Sequence, residues 1–206
     1  MPESRPTSLV ETDAHRLLGA LRLLLAEKNI ATPPELAERI AVTDRASPAQ
    51  GAAMVARAWC DPAYKTLMLE DGTRAVEALG VSMLGAPPLG VLENTAEVHH
   101  LVVCTLCSCY PRAVLGYPPF WFKSAAYRAR AVRDPRGLLA EWGTVLPEAQ
   151  RIRVVDSTAD YRWMVLPRRP ERTEGWTEPD LAALLDEGDL IGVTVPEVPA
   201  VDRTGG

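Results

Sequence analysis

The sequence lacks any apolar run long enough to cross a bilayer. Its greasiest early stretch, residues 17–26, is interrupted by Arg22 and falls far short of the roughly 20 residues a spanning helix needs. Residues 1–8 carry Pro2 and Pro6 and no apolar core, so they do not read as a secretory leader. Basic charge is in deficit, with 22 Lys and Arg against 27 Asp and Glu and a formal net charge of −5, which argues against nucleic acid as a partner. Arg128, Arg130, Arg133, Arg136, Arg151 and Arg153 are crowded into one stretch. They read as a solvated helix face or as pairing groups for a partner chain. Cysteine is scarce, four in 206 residues, and a disulfide scaffold would spread its cysteines to close loops. The default compartment is the cytoplasm, with no membrane and no nucleic acid among the partners.

What is present is ordinary globular composition: 47% hydrophobic and 24% charged residues, enough for one large domain or a domain with an extension. Proline is the excess, 18 residues against an average share of about 5%, and it marks many sharply stopped elements. The first third reads as helices. Asp13 can cap one in which Leu17, Leu18, Leu21, Leu24 and Leu25 recur at helical spacing. That stripe is either core or an arm laid on another subunit. Thr32-Pro33-Pro34-Glu35, Ser47-Pro48 and Asp61-Pro62 open three more helices, the last ending at Gly80.

After residues 85–88 the pattern changes. Residues 89–92 and 101–103 read as strands, 117–132 and 134–142 as turns and helices, and 152–155 and 163–166 as a pair of strands. Residues 178–187 read as a helix and 190–195 as a closing strand, with a frayed tail at 202–206. There is no internal repeat. The expected fold is α+β: a helical N-terminal region over 1–85, then a mixed α/β layered domain over 86–206 that carries the cysteine loop.

Three of the four cysteines, Cys104, Cys107 and Cys109, fall within six residues; Cys60 is remote and reads as a small buried hydrophobe. One C-x-x-C followed by a third cysteine lacks the second pair of an ordinary four-ligand zinc site. In a tight C-S-C run the intervening peptide nitrogens lie as close to a metal as the sulfurs do. Three thiolates and two deprotonated amides give five ligands and leave one position open. That donor set suits low-spin cobalt or iron better than zinc. A structural zinc or iron–sulfur loop is the plainer alternative. His99 and His100 would face opposite sides of a strand, so at most one can help, and each reads better as a packing or hydrogen-bonding residue. His15 reads as exposed. Ser108 has no nucleophile-elbow glycines around it; Tyr110 is pocket wall or core. Trp59, Trp121, Trp142, Trp163 and Trp176 read as core or interface anchors.

Cys104-Thr105-Leu106-Cys107-Ser108-Cys109 resembles the metal loop of nitrile hydratase alpha subunits and of the related catalytic subunit of thiocyanate hydrolase. Glu93-Asn94-Thr95, Leu115-Gly116-Tyr117-Pro118-Pro119, Trp121-Phe122-Lys123-Ser124 and Tyr127-Arg128-Ala129-Arg130 are similar too. So are Met164-Val165-Leu166-Pro167, Gly175-Trp176-Thr177 and Leu190-Ile191-Gly192-Val193, which extends the likeness over residues 60–199. The resemblance implies thiolate ligation by Cys104, Cys107 and Cys109, with the Ser108 and Cys109 amides completing the set. It implies a sulfinic acid at Cys107 and a sulfenic acid at Cys109, both rungs of the cysteine oxidation ladder. Thr105 implies Co(III), with Fe(III) the alternative, one ion per alpha-type chain.

Further implications are beta-type partner subunits that supply arginines to the oxidised sulfurs, a metallochaperone or activator, and a lyase that hydrates a small-molecule nitrile to its amide. The ion would act as a Lewis acid on the nitrile or on bound water. The oxygen on Cys109 would attack the nitrile carbon or activate the water, with the Ser108 hydroxyl close by. Two departures bear on substrate. The family often reads Tyr-Pro-Trp-Pro after the last cysteine, whereas this chain reads Tyr110-Pro111-Arg112-Ala113; a glutamine usual before Glu93-Asn94-Thr95 is missing. Arg112 and Tyr110 become pocket candidates, and a bulky polar nitrile such as a cyano-nucleoside becomes a candidate substrate. Thiocyanate hydrolysis is the enzyme alternative; a non-catalytic metal carrier or assembly subunit is the alternative from another class.

Overall fold

A computed structural model of the chain describes residues 7–199. Contacts divide the chain into two compact units, 1–45 and 46–206. The tail expected at 202–206 and most of the stretch read at 1–8 lie outside the described residues.

The first unit contains α1 (Thr7–Glu27) and α2 (Pro33–Arg45). Helix α1 begins at Thr7, so Asp13 lies inside it rather than capping it. No proline or glycine separates Thr7 from Asp13, and nothing there stops the helix from extending backward. Thr32 and Glu35 form a reciprocal cap on α2: the Glu35 N–H donates to Thr32 Oγ1 and the Thr32 N–H to Glu35 Oε2. The leucine stripe of α1 is not core. Leu17, Leu21 and Leu24 are 75%, 51% and 45% exposed. His15 is exposed, as expected.

The second unit begins with α3 (Pro48–Cys60), α4 (Pro62–Glu70) and α5 (Gly72–Glu77). The helix expected from Asp61 to Gly80 is two. Asp71 takes the N–H of Arg74 and starts α5, just as Asp61 takes those of Ala63 and Tyr64 to start α4. Helices α4 and α5 pack against the first strand, while α3 packs on α4 and on helices later in the chain. The division of contacts falls after Arg45.

The strands are β1 (Leu89–Glu93), β2 (Val98–Val103), β3 (Arg151–Asp156) and β4 (Arg162–Leu166). β3 and β4 do not pair with each other. β1 pairs with β4 and β2 with β3, both parallel. Parallel pairing needs a long crossover. Between β2 and β3 it carries the cysteine loop and then α6 (Arg112–Leu115), α7 (Phe120–Lys123), α8 (Ala125–Arg133) and α9 (Pro135–Glu141). Ser124 splits the helix expected over 117–132: its hydroxyl accepts the Tyr127 N–H and opens α8. The core runs through β2 and β4, where Leu101, Val102, Val103, Met164, Val165 and Leu166 are at most 1% exposed. Such uninterrupted apolar strands are typical of parallel pairs covered on both faces.

Near the C-terminus the expected long helix and closing strand are replaced by two short helices, α10 (Glu178–Ala182) and α11 (Glu187–Ile191). Asp186 and Asp189 form a capping box that restarts the helix. Gly192, at φ 83°, ends it in the left-handed region, and a Cβ there would collide with the carbonyl oxygen of His100. A short apolar run such as Leu190-Ile191-Gly192-Val193 does not separate strand from helix by periodicity. Among the described residues no helix is long and apolar enough to cross a membrane.

Both histidines of β2 are buried and bonded. His99 Nε2 lies 2.8 Å from the Gly192 carbonyl, which can only accept, so Nε2 carries the hydrogen. His99 Nδ1 then accepts from Asn94 Nδ2 at 3.1 Å, while Asn94 Oδ1 accepts the His100 N–H at 2.7 Å. The ring is thereby held neutral. Burial holds both imidazoles below the ordinary histidine range, helped by Arg136 at His99 and by Arg153 at His100. Unfolded histidines take up protons below about pH 6.5, so this pair stabilises the fold at neutral pH and loses that contribution as pH falls below that value. Asp189 acts in the opposite sense, its carboxyl pushed up to about 6 by burial. The diagnostic is therefore a difference. Urea denaturation at pH 7.5 and 5.5 should show a larger acid-induced loss for wild type than for His99→Gln. Equal losses would mean that His99 is not held neutral.

Candidate metal centre

β2 delivers Val103 to the edge of the core, where its carbonyl accepts the Ser157 N–H at 2.7 Å. The chain then leaves the strand, and Cys104 is still 1% exposed. Register pairs Val103 with Asp156, so the end of β3 stands beside the start of the loop. Asp156 uses both carboxylate oxygens on Thr105, taking its N–H at 3.0 Å and its hydroxyl at 2.5 Å. From the other side Arg128 Nη1 donates to the Thr105 carbonyl at 3.3 Å. Arg128 is carried there by α8, which Tyr127 anchors to β2 through a 2.6 Å bond to the Val102 carbonyl.

The next residues close a tight sulfur cluster. Cys104 Sγ lies 3.5 Å from Cys107 Sγ, which lies 3.2 Å from Cys109 Sγ, and the Cys107 N–H donates to Cys104 Sγ at 3.3 Å. All three sulfurs are within 4.8 Å of one another. Three sulfurs on one face of an octahedral ion, each about 2.3 Å from it, would be about 3.3 Å apart; a tetrahedral ion would space them by about 3.8 Å. Of the two adjacent separations, 3.2 Å lies near the octahedral value and 3.5 Å between the two values. The three sulfurs are close enough to share one transition-metal ion. His99 and His100 do not join the cluster, which among the described residues consists of the three cysteines alone.

The sulfurs are unequal without a metal. Cys107 is exposed, and its thiol is pushed down by the Cys109 and Cys104 thiols and by the Ser108 backbone N–H. Cys109 is buried, which pushes its thiol up to about 12, with Cys107 and Cys104 adding to the rise. A cation bound among them would reverse that cost, because a metal-bound thiol is deprotonated. Ser108 is half-buried between its two cysteines.

Tyr110 settles as core rather than open wall. It is 2% exposed, and its ring meets Phe122 edge-on at 5.0 Å. Arg112 is exposed, with its guanidinium 4.5 Å from the centre of the Tyr117 ring. Cys60 is not a buried hydrophobe; it ends α3 at the surface. Three side chains of the arginine stretch, Arg128, Arg130 and Arg136, are engaged within the chain. Arg130 pairs with Asp134 and Glu141, and Arg136 donates to the carbonyls of Leu146, Pro147 and Gln150. Asp156 and Arg128 are the residues sequence reasoning missed as loop supports, because only the strand register and the packing of α8 bring them to Thr105.

Residues 12–194 match the family model described as nitrile hydratase, alpha chain. The chain belongs to the nitrile hydratase alpha family. It is 47% identical over 182 residues, 88% of each chain, to the low-molecular weight cobalt-containing nitrile hydratase subunit alpha of Rhodococcus rhodochrous. It is 42% identical over 206 residues, 94% of this chain and 85% of the relative, to the thiocyanate hydrolase subunit gamma of Thiobacillus thioparus. Among solved structures, a double mutant of the Fe-type nitrile hydratase from Comamonas testosteroni Ni1 superposes with a TM-score of 0.81. It is 39% identical and covers 98% of this chain and 100% of its own. Cobalt-containing relatives and an iron-type neighbour together agree with a cluster able to hold either ion.

In this nitrile hydratase alpha-type chain, the Asp156 clamp on Thr105 should be measurable. Asp156→Ala removes an acceptor for two hydrogen bonds, each worth about 1–2 kcal/mol to a partly exposed carboxylate. The expected result is a modest fall in thermal stability and a larger loss of metal retention against a chelator. Unchanged metal retention would show that the clamp does not shape the loop.

Proposed function

We propose that the chain is the metal-carrying alpha-type subunit of a nitrile hydratase, a lyase that adds water across a carbon–nitrogen triple bond to give the amide. The observation that supports this best is the Cys104–Cys107–Cys109 cluster, its three sulfurs within 4.8 Å of one another, in a chain of this family. Cys104, Cys107 and Cys109 are the thiolate ligands, and the amides of Ser108 and Cys109 complete the set. A Co(III) ion held there, or Fe(III) as the alternative, supplies Lewis acidity toward the nitrile or a bound water.

The protein's own groups do the rest. Cys109, as its sulfenic form, presents an oxygen to the nitrile carbon or to the attacking water. Cys107, as its sulfinic form, lowers electron density at the centre. The Ser108 hydroxyl stands between them and orients the water. Arg112 and the neighbouring Tyr117 ring form a cationic, aromatic rim on which a polar nitrile can rest.

One wall is left to a beta-type partner. Leu106, Phe120 and Tyr117 are 89%, 87% and 59% exposed beside or shortly after the loop, too much apolar surface to leave in water around a reacting centre. The leucine face of α1 is equally uncovered and fits an arm on another subunit. The partner's arginines meet the oxidised sulfurs, since buried sulfur oxyanions need cationic donors. Cobalt insertion calls for an activator, and the assembled enzyme is cytoplasmic.

The substrate reading follows from Arg112. A cation in place of an aromatic residue favours a bulky polar nitrile, such as a cyano-nucleoside, over a small aliphatic one. The same cation favours thiocyanate, which makes thiocyanate hydrolysis the second reading.

Two measurements test the proposal on the co-expressed complex. Metal analysis should find about one cobalt per alpha-type chain, as one metal loop implies. Peptide mass should show added oxygen at Cys107 and Cys109, and Cys109→Ala should abolish turnover. Metal bound without turnover of any nitrile or of thiocyanate would leave only the metal-carrier reading. Acrylonitrile, thiocyanate and a nitrile-bearing nucleoside should then be compared in wild type and Arg112→Trp. The substitution should lower kcat/KM for the polar or anionic substrate by about tenfold, roughly 1.4 kcal/mol of transition-state binding, and spare acrylonitrile. Equal effects on all three would remove Arg112 from substrate choice.

A further inference from the structure

The two parallel strand pairs each end in a crevice. Beyond the carboxyl ends of β2 and β3 lies the cysteine loop. Beyond the carboxyl ends of β1 and β4, where Glu93 stands opposite Leu166, lies a cleft of about 490 Å³. In parallel sheets ligands settle outside the carboxyl ends of the strands. Small-molecule sites commonly enclose about 300–1,000 Å³, and this cleft falls in that range. It lies past the other end of β2, whose six residues rise about 16 Å, and it shares no residue with the metal loop.

The walls of the cleft are fixed by the chain itself. The Trp59 indole Nε1–H donates to the Pro167 carbonyl at 2.9 Å, and Arg169 Nη1 donates to the Trp59 carbonyl at 3.1 Å. Arg169 also donates from Nε to Thr173 Oγ1 at 3.0 Å and from Nη2 to the Thr173 carbonyl. These bonds hold the guanidinium in place, yet every acceptor is neutral and two of its five N–H groups are left over. Lys65 is neutralised by Glu93, with Nζ 2.5 Å from Oε1. Arg168 and Arg169 are not neutralised. Among the described residues neither has a carboxylate within 4.0 Å, and Glu97 acts on Arg168 from farther away. Two positive charges therefore line a cleft whose other walls include Trp59, Pro62 and Leu166, in a chain of net charge −5. A concave surface lined by one sign of charge concentrates ligands of the other sign.

We propose that this cleft is a second ligand site, one that takes a small organic carboxylate. The carboxylate meets the half-buried guanidinium of Arg169, whose planar set of N–H groups matches two carboxylate oxygens. The exposed Arg168 adds the second charge, and the apolar body of the ligand packs on Trp59 and Pro62. The internal bonds of Arg169 and Trp59 order the site in advance, which lowers the entropy cost of binding. The site stands on β1 and β4, so it exists whatever reaction the metal loop performs.

The test uses the co-expressed, metal-loaded complex in wild type, Arg168→Gln and Arg169→Lys. Benzoate is the probe and benzamide its neutral counterpart, both followed by titration calorimetry. Wild type should bind about one benzoate per alpha-type chain, as one cleft per chain implies, and benzamide at least tenfold more weakly. Arg168→Gln should weaken benzoate binding by about tenfold, the loss of one charge-assisted contact, with metal content and nitrile turnover unchanged. Arg169→Lys keeps the charge but loses the planar fork, and should weaken it as well. If Arg169→Lys does not assemble, Arg168→Gln decides alone. Benzoate binding untouched by Arg168→Gln would place the ligand elsewhere and overturn the proposal. Equal affinities for benzoate and benzamide overturn it too, as does a complex that binds no benzoate. Displacement of benzoate by inorganic phosphate at equal concentration would overturn the assignment to an organic carboxylate. None of these outcomes bears on the metal loop, whose reading fails on metal content and cysteine oxidation instead.

Discussion

Asp156 reaches back across 51 positions of sequence to hold both the N–H and the hydroxyl of Thr105. It can do so only because β2 and β3 run parallel, with Val103 opposite Asp156. That register is the constraint on which the cysteine loop depends. Shifting a strand by one residue turns every side chain to the other face, and here it would carry Asp156 away from Thr105. The register is itself fixed by burial, since the last three residues of β2 are wholly enclosed and tolerate no slip. A hydrophobic effect in the strands is thereby converted into the geometry of a polar loop. The crossover that parallel pairing requires is then used twice. It contains the sulfurs, and it contains α8, which brings Arg128 to the far side of Thr105.

The held loop brings together groups that would otherwise repel or stay protonated. Cys107 and Cys109 are two residues apart yet have opposite tendencies, one exposed and acidic, the other buried and reluctant to ionise. An arrangement of this kind is unfavourable unless positive charge is supplied. Under the proposed ligation the ion supplies most of it. Thiolates and deprotonated amides together nevertheless outweigh a trivalent ion, so the loaded loop remains anionic. That residual charge gives a single electrostatic reason for cations around the loop, some on this chain and others expected from a partner.

The site was legible in the sequence to the extent that it is local. Spacing alone put Cys104, Cys107 and Cys109 on one loop, and the missing second pair argued against a closed zinc site. Helix starts were legible for the same reason, since Asp61, Thr32 and Asp134 cap their helices through side-chain bonds two or three residues away. The failures are all matters of tertiary context. Nothing in the runs 152–155 and 163–166 says that each pairs with a strand before the loop rather than with the other. Leu190-Ile191-Gly192-Val193 is apolar enough for a strand, but the capping box at Asp186 and the close approach of Gly192 to His100 favour a helical turn. Residue type alone makes Cys60 a buried hydrophobe, whereas its position at the end of α3 leaves it exposed.

His99 and His100 show the same division between chemistry and context. The sequence makes them packing or hydrogen-bonding residues facing opposite sides of a strand. Both are in fact buried beside one asparagine, and Asn94 satisfies the two of them at once through its amide oxygen and nitrogen. The Glu93-Asn94-Thr95 segment that resembles the family thus has a structural use at the beginning of β2, while the cysteine loop takes up its end. One strand carries a closed, neutral polar knot at its first turn and an open, anionic one at its last. The neutral knot needs no outside partner because every polar atom it buries meets a complement within the chain. The cysteine end does not reach that balance, since its sulfurs accept weakly and the buried Tyr110 hydroxyl and Arg128 Nε nearby have no hydrogen-bond partner. That asymmetry along a single strand is the physical argument that metal chemistry lies at the cysteine end and stability at the histidine end.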